Sequence, residues 1–140
     1  MVSLDRFVNA QTGVYETALA ELQAGHKRTH WMWFVFPQIQ GLGHSEIARH
    51  YAIADATEAR AYLAHLILGP RLCECVKMVL NRAESSANDI FGFPDDLKLK
   101  SSMTLFAFAS SEEDSVFTEV LGKFYEGEQC KFTVQQFDGA

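Results

Sequence analysis

The chain has 140 residues, 18 acidic and 12 basic side chains for a net charge of −6, with 48% apolar and 21% charged residues. That balance belongs to an ordinary globular protein and excludes a disordered or membrane-embedded one, and the length buries a core without cross-links. The acidic excess also excludes broad charge-driven nucleic-acid binding, which needs a basic face to release counterions.

In chain order, Leu4, Phe7, Val8, Val14, Tyr15, Ala18, Leu19 and Leu22 recur at spacings of three and four, one face of a helix. Ser3 is its expected N-cap, Gly13 a candidate break into a short and a longer helix, and Gly25 its end. After the aromatic run "THWMWFVFPQ" (Thr29 to Gln38), Pro37 forces Phe36 toward an extended conformation and "GLG" at Gly41 to Gly43 makes a loop. "HSEIARHYAI" reads as a helix capped by Ser45, and "DATEARAYL" as one opened by a capping box of Asp55 and Glu58. In "LGPRLCECVKMVLNRA", Gly69 reads as a stop, Pro70 as a first-turn residue, and Leu72, Val76, Val79, Leu80 and Ala83 as one face.

"SANDIFGFPDD" reads as a turn-rich connection, followed by helices over Leu97 to Ala109 and through "DSVFTEVLGKFY". The acidic "SSEED" before the latter reads as a loop whose carboxylates favour a helix N-terminus. No alternating pattern requires a sheet. The expected architecture is therefore all-α: one irregular helical domain over residues 1–140, with six to eight helices, several of them short.

Cys73, Cys75 and Cys130 are odd in number and lack zinc-like pairing, so they read as reduced thiols. "MVSLDRFVNAQ" lacks a basic region followed by an apolar stretch, and no apolar run reaches the roughly 18–20 residues that span a bilayer. The expected compartment is the cytoplasm, with no membrane partner.

The chemistry-bearing stretches each have two readings. If "WMWFVF" is helical, its rings point in every direction and it must be buried, as a core plug. Yet two indole N–H groups need partners, and His30 and Gln38 flank the run, which suits the wall of a binding site. In "HKRTH", Lys27 and Arg28 either complement the dipole of the preceding helix or grip a phosphate or carboxylate whose ring stacks on Trp31 or Trp33. His26 and His30 have no third ligand nearby, so no metal site is expected.

In "LKLKSSMTLFAFA", the hydroxyls of Ser101, Ser102 and Thr104 either bond back along their helix or line a cavity with Lys98 as anion anchor. No nucleophile elbow and no phosphate loop are present, and "GLGHSEIA" lacks the strand and third glycine of a dinucleotide fingerprint, so no cofactor is implied. His65 and Cys73 read as packed core or flank residues.

"HWMWFVFPQ" with "GLG", "YAI" at Tyr51, "AYLAH" at Ala61, "LGPRL" at Leu68, "IFG" at Ile90 and "DLKLKSSMTLF" at Asp96 together resemble the bacterial family catalogued as domain of unknown function 1810. The resemblance runs from about Leu4 to Thr133 and implies a compact all-helical domain with no assigned activity. Some automated labels call such proteins calpastatin, a disordered repetitive inhibitor; this apolar, unrepeated chain contradicts that. The family's recurrent polar positions fall here on Gln11, Lys27, His30, Gln38, Lys98 and Ser101. One departure lies where the family pattern carries an aspartate shortly after a glycine: here Gly127 is followed by Cys130.

The expectation that follows is a pocket for a small anionic or nucleotide-like ligand, bound and possibly transformed. Trp31 and Trp33 supply the wall, Lys27 or Arg28 and Lys98 the charge, Gln11 and Gln38 directional hydrogen bonds, and Ser101 and Ser102 a polar lining. His30 is the acid or base nearest neutrality and the candidate catalytic group. The alternative is a protein-interaction module in which the aromatics and methionines form a docking groove.

Overall fold

In the computed structural model, residues 3–82, 84–111 and 115–138 are described. The elements are α1 (Asp5–Gln11), α2 (Tyr15–Ala24), α3 (Met32–Val35), α4 (Glu46–His50), α5 (Ala56–Ala64), α6 (Leu68–Leu80), α7 (Ala87–Phe91), α8 (Asp95–Ala109), α9 (Val116–Tyr125) and α10 (Lys131–Asp138). The fold is all-α, with no strand among the described residues. One isolated parallel bridge joins Ile39 to Ile53.

Helix α8 is central, because α5, α7, α9 and α10 all pack on it, while α6 joins α2, α5 and α9. A helix surrounded on most sides must be apolar around most of its circumference, and Leu99, Met103, Leu105 and Phe106 are fully buried along it. The large rings fill the space between helices: Tyr62 meets Phe7 edge-on at 5.2 Å and Phe106 at 5.3 Å. Trp31 and Phe36 both pack on Phe91, at 6.4 and 5.9 Å. Such pairs add about 0.5–1.5 kcal/mol each beyond the area they bury.

Local signals set several helix ends. Gly13 divides α1 from α2, and Gly25 closes α2 in the left-handed conformation at φ 80°. Ser45 and Asp55 cap α4 and α5 by accepting the N–H of Ala48 and Glu58. Several expectations need correction. Ser3 does not cap α1, whose N-cap is Leu4 without a side-chain bond. Glu58 does not close a box on Asp55: its carboxylate takes the Ala54 N–H and pairs with Arg6 at 3.0 Å.

Gly69 does not stop a helix. It lies in the first turn of α6, where the chain turns so tightly that an added Cβ would stand 2.2 Å from the Leu63 carbonyl oxygen. His65 supplies the missing start signal, its Nδ1 accepting the N–H of Ile67 and Leu68. The stretch read as a mere connection contains α7, opened by a full capping box between Ser86 and Asp89. Helix α8 begins at Asp95, two residues before the expected Leu97, and α10 was not expected at all. These additions raise the helix count among the described residues to ten. Of the expected "SSEED" loop, Glu112 to Asp114 lie outside the described residues, as does Ala83; Ser115 caps α9.

Two glycines in helices separate crowding from conformation. Gly69→Ala is expected to lower stability in denaturant unfolding by about 1–3 kcal/mol, because the Leu63 carbonyl is backbone and cannot step aside. Gly122→Ala in α9, where nothing lies within 4 Å of the added carbon, is expected to raise stability by about 0.5–1 kcal/mol through a less flexible unfolded chain.

Candidate functional site

The placement of the two tryptophans begins with Glu21 on α2. Its carboxylate accepts the Arg28 N–H at 2.7 Å, the Thr29 N–H at 3.0 Å, the Thr29 hydroxyl at 2.7 Å and the Trp31 indole N–H at 2.9 Å. Burial resists its ionisation, but these donors outweigh burial and hold the carboxyl at about 2 against an ordinary 4.5. Trp31 is thereby drawn into the core, fully buried with its one polar atom satisfied. It is not part of a pocket wall. Two residues on, inside α3, Trp33 stays half-buried.

Two lysines from distant parts of the chain converge on Asp95, the first residue of α8. Lys27 reaches one carboxylate oxygen at 2.9 Å and Lys98 the other at 3.2 Å. Each also lies over a tryptophan: the Lys27 ammonium is 5.2 Å from the Trp31 ring centroid, and that of Lys98 is 3.9 Å from the Trp33 ring centroid. The Lys27 side chain is only 7% exposed and is committed to bracing the chain. Lys98 is the more open of the two.

Two hollows flank Trp33. Trp33, Gln38, Leu42 and Gly43 line both. The larger, of about 340 Å³, adds residues 39–41 with His44, Arg49 and Tyr51. The smaller, of about 230 Å³, adds Pro94, Leu97, Lys98 and Ser101. The bridge that frames the larger hollow is made by the Gln40 N–H on the Ile53 carbonyl and the Ile53 N–H on the Gln38 carbonyl, each at 2.8 Å. The glycines of "GLG" fit this geometry. A Cβ on Gly43 would stand 2.5 Å from that of Ala48, and one on Gly41, at φ 107°, would stand 2.7 Å from the Phe132 ring of α10.

Among the sequence candidates, Trp33, Gln38, Lys98 and Ser101 thus meet around the smaller hollow. The side-chain amide of Gln38 makes no hydrogen bond with any described residue. Gln11 is elsewhere: it is buried, gives its amide N–H to the Phe34 carbonyl at 2.8 Å and the Tyr62 hydroxyl at 3.2 Å, and accepts Arg71 at 3.3 Å. Arg28 and His30 are exposed and line neither hollow. Ser102 is fully buried away from both hollows, and its hydroxyl makes no hydrogen bond. Arg49, His44 and Tyr51 also line the larger hollow and are not among the sequence candidates; His44 follows the glycine loop directly, and Arg49 and Tyr51 lie in and just after α4.

Ser101 bonds back to the Leu97 carbonyl at 3.2 Å and also lies 3.3 Å from the Cys130 sulfur, which sits where α10 begins. Burial pushes the Cys130 thiol up, but Ser101, the Thr133 side chain and the N–H groups of Thr133 and Phe132 more than offset it, so the net displacement is downward. Cys75, enclosed in the core, is pushed up to about 12 by burial.

The family described as Protein of unknown function (DUF1810) matches residues 1–137. Among solved structures, the conserved hypothetical protein Rv1873 from Mycobacterium tuberculosis is similar, with 52% identity, 94% of each chain covered and a TM-score of 0.91. No curated protein matches.

Because the Glu21 carboxyl is depressed in the folded state, its contribution is full above pH 4.5 and is lost as pH falls from there toward 2. Glu21→Gln is expected to cost about 1–2 kcal/mol near neutrality, with the solvent-facing part of the cluster discounted. That cost should shrink below pH 4.5, read as converging denaturation midpoints of the two proteins. In iodoacetamide labelling followed by mass spectrometry, Cys130 is expected to react before Cys75, with a rate midpoint below the ordinary thiol value.

Proposed function

The chain belongs to the DUF1810 family, proteins of unknown function, and from that footing we propose that it binds a small anionic, nucleotide-like ligand against Trp33. The observation that carries this reading is the Lys98 ammonium 3.9 Å over the Trp33 ring, in a hollow that also receives Gln38 and Ser101. Asp95 is shared between two lysines, so one positive charge at the cluster is left over for an anion. Charge, ring face, free amide and hydroxyl are the four elements such a ligand needs, and they come together from α3, the following loop and α8.

In this reading Trp33 is the platform, Lys98 the anion anchor, and Gln38 and Ser101 the directional partners. Trp31 and Lys27 support it from behind. His30 has no part in it. A docking groove built on methionines is less well supported, since Met32 and Met103 are buried in the core.

A thermal-shift screen over nucleotides, sugar phosphates and carboxylates tests the reading. A ligand at 100 times its dissociation constant adds about 2.7 kcal/mol of stability. That gain is expected to vanish in Trp33→Ala and in Lys98→Ala, each first checked for native far-UV circular dichroism. A ligand whose gain is the same in both variants overturns the assignment.

A further inference from the structure

The smaller hollow accounts for one cation, but the wall it shares with the larger hollow has a second side. Trp33, Gln38, Leu42 and Gly43 face both spaces, so a ligand resting on this ridge has access to each. On the α8 side stands Lys98; on the α4 side stand Arg49 and His44. Neither the Arg49 guanidinium nor the His44 imidazole makes a hydrogen bond or ion pair with any described residue. A solvated arginine costs little on a surface and means little alone. The informative feature is coincidence: in a chain with an acidic excess, both ends of one aromatic ridge carry positive charge that no described carboxylate fully neutralises.

The middle of the ridge is different in kind. It consists of the Trp33 ring, the Leu42 side chain and the free Gln38 amide, a surface for a flat or apolar segment with one polar edge. Gly43 keeps it low, since a side chain there would collide with Ala48, whose Cβ would stand 2.5 Å away.

We propose that the ligand is anionic at both ends: a ring or apolar middle lies over the Trp33–Leu42 ridge, one phosphate or carboxylate is held by Lys98, and a second is held by Arg49 and His44. This rests on the reading that the ligand binds at Trp33, and it narrows that ligand from any small anion to a bis-anion. The second charge contributes through an independent contact, so its removal is felt by the doubly charged ligand alone.

The experiment titrates the full chain with adenosine 5′-phosphate and with adenosine 3′,5′-bisphosphate at constant ionic strength, by calorimetry and Trp33 emission. The bisphosphate is expected to bind at least about tenfold more tightly, the scale of one added charge-assisted contact. Arg49→Gln, an exposed substitution, is expected to bring the bisphosphate to the monophosphate level and to leave the monophosphate unchanged. Lys98→Met is expected to weaken both. Equal affinity for the two nucleotides, or an equal loss of both in Arg49→Gln, overturns the bis-anion proposal while leaving a ligand at Trp33. If neither nucleotide binds or alters Trp33 emission, the reading of the hollow falls as well.

Discussion

One carboxylate governs the arrangement around the aromatic run. Glu21 collects four donors from Arg28, Thr29 and Trp31, and in doing so fixes the turn through which the chain enters α3. With that turn fixed, Trp31 stands as the non-helical N-cap of α3 and is fully buried, while Trp33, inside the helix, is only half-buried. One indole becomes the centre of the core and the other the wall of a hollow. The six-residue run is therefore neither wholly a plug nor wholly a binding surface, because α3 is a single turn with an inside and an outside.

The second carboxylate, Asp95, links that turn to the central helix. It fixes Lys27 from the segment after α2 and Lys98 from its own helix, and each ammonium then rests over one of the two indoles. Ion pairs of this partly exposed kind add little stability in themselves. Their effect here is geometric. They tie the start of α8 to the segment before α3, so the polar groups from three parts of the chain are held at one place and the side chains that a ligand would meet are ordered before it arrives.

The all-α class and the longer helices were legible because apolar spacing and caps are local: Gly13, Gly25, Ser45 and Asp55 act within a turn of where they stand. Short elements were legible only where a cap was noticed. Ser86 and Asp89 form a full box inside a stretch whose Gly and Pro read as turns, and Gly69 reads as a terminator because its crowding by the Leu63 carbonyl is a tertiary feature that leaves no local mark. Lys98, Gln38, Ser101 and Trp33 could be picked out as polar or aromatic anomalies in apolar surroundings. The roles of Gln11 and Trp31 could not, because their partners lie 23 and 10 residues away in the chain. A buried amide that braces the Phe34 carbonyl and one that faces a ligand have the same sequence appearance.

The contact between Gly41 and Phe132 carries a temporal meaning. The glycine loop is local to the first half of the chain, yet the ring against it, and the sulfur beside Ser101, both arrive with α10. During vectorial synthesis the tryptophan, the loop and even the lysine leave the ribosome before their backstop does. A nascent chain that already holds Trp33, the glycine loop and Lys98 thus still lacks the ring that packs against Gly41 and the sulfur beside Ser101, both of which come with α10 and the residue before it.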